Sequence, residues 1–147
     1  MPYLKSNLVK MVTQSVPDRA GEIHEVFVEY TINPAAVNTV DVVELCNLPA
    51  MSKIVECDLF TQNFAAANVN VGFMSGAYGN PDGARTVGTQ LFNAQAANAA
   101  ATVGLATLAG IAADENNDRG IGFTVSVNQT AGATKKLFLR LRYTRTS

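Results

Sequence analysis

The only histidine, His24, lies between Glu22 and Glu25. In an extended chain, residues two apart share a face, so Glu22 could orient the imidazole while Glu25 points the other way. Such a pair becomes a catalytic base only beside a nucleophile. The two cysteines, Cys46 and Cys57, would reach it only through a chance of tertiary packing. His24 therefore reads as a half-buried or surface histidine, and no catalytic residue is expected. The cysteines are too few for a zinc site or a disulfide framework. Cys57 alternates with Val55 and Leu59 and reads as a small core side chain. Asp114, Asn116 and Asp118 place oxygens at alternate positions, like the start of a calcium loop. The glycine and glutamate an EF-hand requires are replaced by Arg119 and Val125. These three residues form a weak metal candidate, with a solvated loop as the default. Gly72, Gly76, Gly79 and Gly83 surround Tyr78, but no Gly-Lys-Ser/Thr follows, so turns explain them better than phosphate binding does. No cofactor is expected.

Charge is the other possible chemistry. The formal net charge is −1, but residues 1–118 hold five Lys/Arg against twelve Asp/Glu, whereas residues 119–147 hold six Lys/Arg and no acid. Lys136, Arg140 and Arg142 share one face of a C-terminal alternating run. A nucleic-acid surface would interleave such a patch with several exposed aromatics, and only Phe138 qualifies. Glu25 and Glu29 form a matching acidic face near residue 25. Cross-strand pairing, within the fold or with a neighbouring subunit, is the expected use. No apolar run approaches the ~18 residues of a membrane-spanning helix, and the N-terminus has no signal-peptide core. Neither nucleic acid nor membrane is an expected partner.

The elements carrying these residues are mostly strands. At 147 residues the chain reads as one domain. Val, Ile and Thr cluster in short alternating runs bounded by turn residues. The runs are His24–Ile32, Thr39–Cys46, Lys53–Thr61, Asn68–Phe73, Ile121–Val127 and Leu137–Thr144. Leu8–Gln14 and Thr102–Ile111 are weaker strand candidates. Met74–Gly83 is a turn-rich loop. Gln90–Ala101 is Ala-rich and favours a short helix, or a loop insertion. Asn128–Thr134 is expected to close the last two runs as a hairpin, burying Val125, Val127, Leu139 and Leu141. Six to eight short strands with long loops give an all-β, jelly-roll-like β-sandwich.

Residues 1–16 are read as an N-terminal arm or edge strand, and residues 17–147 as the sandwich. The first segment is too apolar for a disordered tail. Tyr3, Leu4, Leu8 and Met11 are its candidate partner-binding residues, with Lys136, Arg140 and Arg142 at the other end of the chain.

The middle of the chain adds a resemblance. Asp41-Val-Val-Glu-Leu-Cys-Asn-Leu-Pro-Ala50, then Ile54-Val-Glu-Cys-Asp-Leu-Phe60, then Val69-Asn-Val-Gly-Phe73 resemble, in order and spacing, the head decoration or capsid cement proteins of tailed bacteriophages. The likeness spans roughly residues 23–145. Met51-Ser52-Lys53 and the non-acidic Thr61-Gln62-Asn63 depart from the pattern. The resemblance implies a non-enzymatic virion protein, made in the host cytoplasm and seated on the outer capsid surface over joints between shell subunits. Its implied partners are the major capsid protein and further copies of itself, as a dimer or trimer. A tail or baseplate component and a carbohydrate-binding β-sandwich are the alternatives. The absence of tryptophan counts against the latter.

Overall fold

The computed structural model describes residues 3–6 and 22–146. They form two sheets packed face to face, a β-sandwich. In chain order the elements are β1 (Tyr3–Lys5), β2 (Ile23–Thr31), β3 (Val42–Leu48), β4 (Ser52–Gln62), β5 (Asn68–Phe73), β6 (Phe92–Ala96), β7 (Ala100–Thr102), α1 (Leu105–Ala109), β8 (Arg119–Val125) and β9 (Lys136–Arg145). The first sheet runs β1-β3-β8-β5-β6 and the second β2-β9-β4-β7. All pairs are antiparallel except β1 on β3. The expected all-β sandwich is the observed fold.

Period-2 alternation places one face of each long strand in the core. Val26, Val28 and Tyr30 of β2, Val69 and Val71 of β5, Ile121, Phe123 and Val125 of β8, and Leu137, Leu139, Leu141 and Tyr143 of β9 are all buried. Tyr30 meets Phe123 edge-on, ring centres 5.7 Å apart, across the two sheets. Gln129 is also buried. Its amide bonds Val127 and Ala65, and its backbone pairs with Val37, so its polar atoms are satisfied.

Several expectations need correction. Asn128–Thr134 does not close a hairpin, because β8 and β9 lie in different sheets; the segment is a crossover. Strand β8 stops at Val125, so Val127 is 44% exposed. In β4 the register shifts between Ile54 and Glu56. This bulge turns Ile54 inward and Val55 outward, while Cys57 and Leu59 keep their expected places. The Ala-rich stretch is not helical. Strand β6 pairs with β5 and β7 with β4, so the segment passes from the edge of one sheet to the edge of the other. Ala94 and Asn98 turn it with positive φ, and the Asn98 amide bonds both N–H and C=O of Phe64. Tertiary pairing outweighs the small helix propensity of alanine. The only helix among the described residues lies instead at Leu105–Ala109, inside the run considered as a strand of small residues.

Candidate functional site

The outer face of the second sheet gathers exposed aromatic and charged side chains. Its residues are the ones that alternate with the core. In the register, Glu29 faces Phe138 and Phe138 faces Phe60. One step along, Phe27 faces Arg140 and Arg140 faces Asp58, and one step further Glu25 faces Arg142 and Arg142 faces Glu56. Phe138 touches both other phenylalanines. Phe138 stacks on Phe60 at 6.1 Å and packs against Phe27 at 5.9 Å. Phe27 is 64% and Phe60 39% exposed. Beside them a shallow groove of about 230 Å³ runs over Phe60, Phe138, Ala100 and Thr102.

The charges on this face neutralise one another. Lys136 pairs with Glu29 at 2.7 Å, and Arg142 with Glu25 at 2.8 Å and Glu56 at 3.3 Å. Arg140 meets Glu56 at 2.8 Å and donates from Nε to Asp58 at 2.8 Å. The Thr102 hydroxyl, donating at 2.6 Å, and then Arg140 hold the Asp58 carboxyl below the usual carboxylate range.

The first sheet presents a different outer face. Gly72 pairs with Gly122, and Gly122 with Glu44, giving a trough with almost no side chains. The segment from Met74 to Gln90 lies in it. A Cβ on Gly72 would sit 2.5 Å from the backbone of Gly88, and one on Gly122 2.6 Å from the Met74 sulfur. An ion pair clamps this cover. Arg85 Nη2 donates to Glu44 Oε2 at 2.6 Å, with 3% and 0% of the two side chains exposed. Glu44 also accepts from the Gly79 N–H at 2.9 Å and from the Tyr3 hydroxyl. Arg85 Nη1 donates to Glu44 Oε1 at 3.1 Å and to the Asn80 carbonyl, Nε donates to the Ser75 carbonyl, and the guanidinium stands 5.6 Å from the Tyr3 ring centre. Burial, and then the Glu44 carboxylate, push the Tyr3 hydroxyl pKa upward. Each charge is paired and hydrogen-bonded, as a buried ion pair must be.

The sequence candidates fall as follows. His24 does bond Glu22, and its ring lies 6.2 Å from that of Tyr143, with no cysteine in the arrangement. Cys46 and Cys57 are free and buried. Burial raises both thiols, Cys57 to about 12, which suits core packing rather than nucleophilic work. Asp114 accepts from the backbone N–H groups of Asn116 and Asn117, while Asp118 accepts from Ala50 N–H and the Asn47 amide. These oxygens shape a loop, and no group of three or more His, Cys, Asp or Glu side chains suited to a metal occurs among the described residues. Tyr3 and Leu4 belong to edge strand β1; Leu8 and Met11 lie outside the described residues. Lys136, Arg140 and Arg142 come together on the outer face, each with an acidic neighbour of its own sheet.

Two features escaped the sequence reading. The Glu44–Arg85 pair left a faint signal: a carboxylate inside Val42-Val43-Glu44-Leu45-Cys46, and Arg85 as the sole basic residue between Lys53 and Arg119. The outward phases of Phe27, Phe60 and Phe138 were legible, but their contact depends on strand order.

No protein-family model matches the chain, and no curated protein matches it. Solved structures do. A chain of the capsid of Ralstonia phage GP4 is 27% identical, covers 99% of each chain and superposes with a TM-score of 0.80. A chain of the cyanophage Pam1 capsid asymmetric unit is 19% identical, with a TM-score of 0.54 over 92% of this chain and 95% of that one. A chain of the acidic-stable capsid of Helicobacter pylori bacteriophage KHP30 is 18% identical, with a TM-score of 0.54 over 88% and 92%. The last two likenesses concern the fold alone. The first, over the whole chain, supports a structural, capsid-related role in a phage virion.

Proposed function

We propose that the protein is a capsid decoration protein. In this reading it binds the outer surface of the assembled shell, over joints between shell subunits, as a homo-oligomer and without catalysis. The observation that carries the reading is the end-to-end match to a capsid chain, 99% of each chain at a TM-score of 0.80. The likeness thus spans the whole sandwich. The site chemistry agrees. The buried Glu44–Arg85 pair is tied into the scaffold, and the second sheet presents an aromatic and ion-paired face, which suits contact rather than turnover. A protein that binds only the assembled state stabilises it by mass action, and an interface of about 800 Å² per partner is enough for stable attachment.

The test uses shells produced without this protein. Purified protein added back should bind saturably, raise the temperature at which the shells open, and appear as extra density outside the shell joints in electron microscopy. Density confined to the tail or the shell interior, or no binding at all, overturns the reading.

A further inference from the structure

We infer that the outer face of the β2-β9-β4-β7 sheet is the surface that seats on the shell, and that the patch it meets there is uncharged and apolar. The inference rests on the decoration reading and names the contact within it.

Two observations select this face. The first sheet's outer trough is filled by residues 74–90 and clamped by Glu44 and Arg85. The second sheet's face presents Phe27 and Phe60 on either side of Phe138, each ring in contact with it, and Phe27 is 64% exposed. Three long strands and one short one, spaced ~4.8 Å apart and rising ~3.3 Å per residue, offer roughly 500 Å² of flat footprint before side-chain relief is added. That approaches one side of a standard interface.

Charge selects the occupant. Across the face the order is acidic, basic, acidic: Glu25 and Glu29 on β2, Lys136, Arg140 and Arg142 on β9, Glu56 and Asp58 on β4. A second copy would dock through the same patch about a two-fold axis. Stacked with strands aligned and centred on β9, it sets the basic strand on its own mate and acidic strands on acidic strands. Sliding by one strand relieves the repulsion only by giving up overlap. The internal pairs of Lys136, Arg140 and Arg142 already satisfy the charges. An apolar, uncharged partner therefore covers the phenylalanines without leaving a charge unpaired, which is the condition for burying charge.

The test compares wild type, Phe27→Ser/Phe60→Ser, the single Phe27→Ser, and Val40→Ser as an exposed control outside this sheet. Shell binding is titrated, oligomeric state is read by analytical ultracentrifugation, and folding by thermal unfolding. The expected result is at least ten-fold weaker binding by the double variant, an intermediate loss for Phe27→Ser, wild-type binding by Val40→Ser, and an unchanged oligomer. If wild type binds shells and the double variant binds equally well, this inference fails while the decoration reading stands. If wild type does not bind, the decoration reading itself fails. Dissociation of the oligomer by the double variant would assign the face to a second copy. A large fall in unfolding temperature with the oligomer intact would assign it to the chain's own N-terminal segment. Either result overturns the proposal. Should the double variant fail to fold, Phe27→Ser alone decides by the same criteria.

Discussion

The two sheets of the sandwich bury similar inner faces and differ on their outer ones. One carries the row Glu44–Gly122–Gly72, the other the row Glu29–Phe138–Phe60. Glycine at two of three positions leaves a trough that the chain fills with its own loop. Phenylalanine at two of three leaves a ridge that no described part of the chain covers. The same alternation of core and outward residues thus yields a self-sealed face and an open one. The choice lies in the size of the outward side chains, since a Cβ at Gly72 or Gly122 would collide with the loop laid over them.

The largest effect should come from breaking the seal. Arg85→Ala strands the Glu44 carboxylate in a fully buried site and should cost about 3–5 kcal/mol in denaturant unfolding. Replacing both partners, Glu44→Leu with Arg85→Met, should recover much of that loss. If Arg85→Ala costs nothing, the cover is not clamped as described. On the second sheet, Leu139→Ala removes a side chain with no exposed surface and should cost ~2–5 kcal/mol. A value near zero would place that face of β9 in solvent.

Gly72→Ala probes the trough itself. The added methyl meets the Gly88 backbone, which cannot step aside, so a loss of about 1–3 kcal/mol is expected. By contrast, Phe27→Ala on the open face should stay within about 0.5 kcal/mol of wild type. Equal costs for these two substitutions would erase the difference between the faces.

The smallest effect concerns pH. The folded-state pKa of Asp58 is depressed by Thr102 and Arg140. Its contribution is therefore complete above the ordinary carboxylate pKa of about 4 and fades as the pH falls through the lower folded value. Asp58→Asn should lower the unfolding temperature slightly at neutral pH, and the gap to wild type should close in acid. A gap that persists undiminished well below pH 3 would mean the carboxylate charge plays no part.

The candidate face was half legible before the fold was known. Phe27, Glu25 and Glu29 shared one phase of their strand, and so did Phe138, Arg140 and Arg142 of theirs. The expected match of Glu25 and Glu29 to the basic strand is the pairing observed. What could not be read was that β9 lies between β2 and β4, which brings Phe60, Glu56 and Asp58 into the same patch. The bulge at Ile54–Glu56 also escaped, because an inserted residue inverts the phase of a strand without changing its composition.

By itself the sequence determined the six longer strands, β2, β3, β4, β5, β8 and β9, and most of the core. Burial of Val26, Val28, Val69, Val71, Leu139 and Leu141 follows from a period of two that any half-buried strand must obey. Tertiary structure alone decided where strands join and what covers them. Thus β8 and β9 went to different sheets, the Ala-rich stretch became two edge strands, and a lone glutamate in an apolar run was buried because Arg85, forty-one residues away, came to meet it. Such outcomes depend on contacts distant in sequence. Their free energy outweighs local propensities of a few tenths of a kcal/mol per residue, and no local window contains both partners.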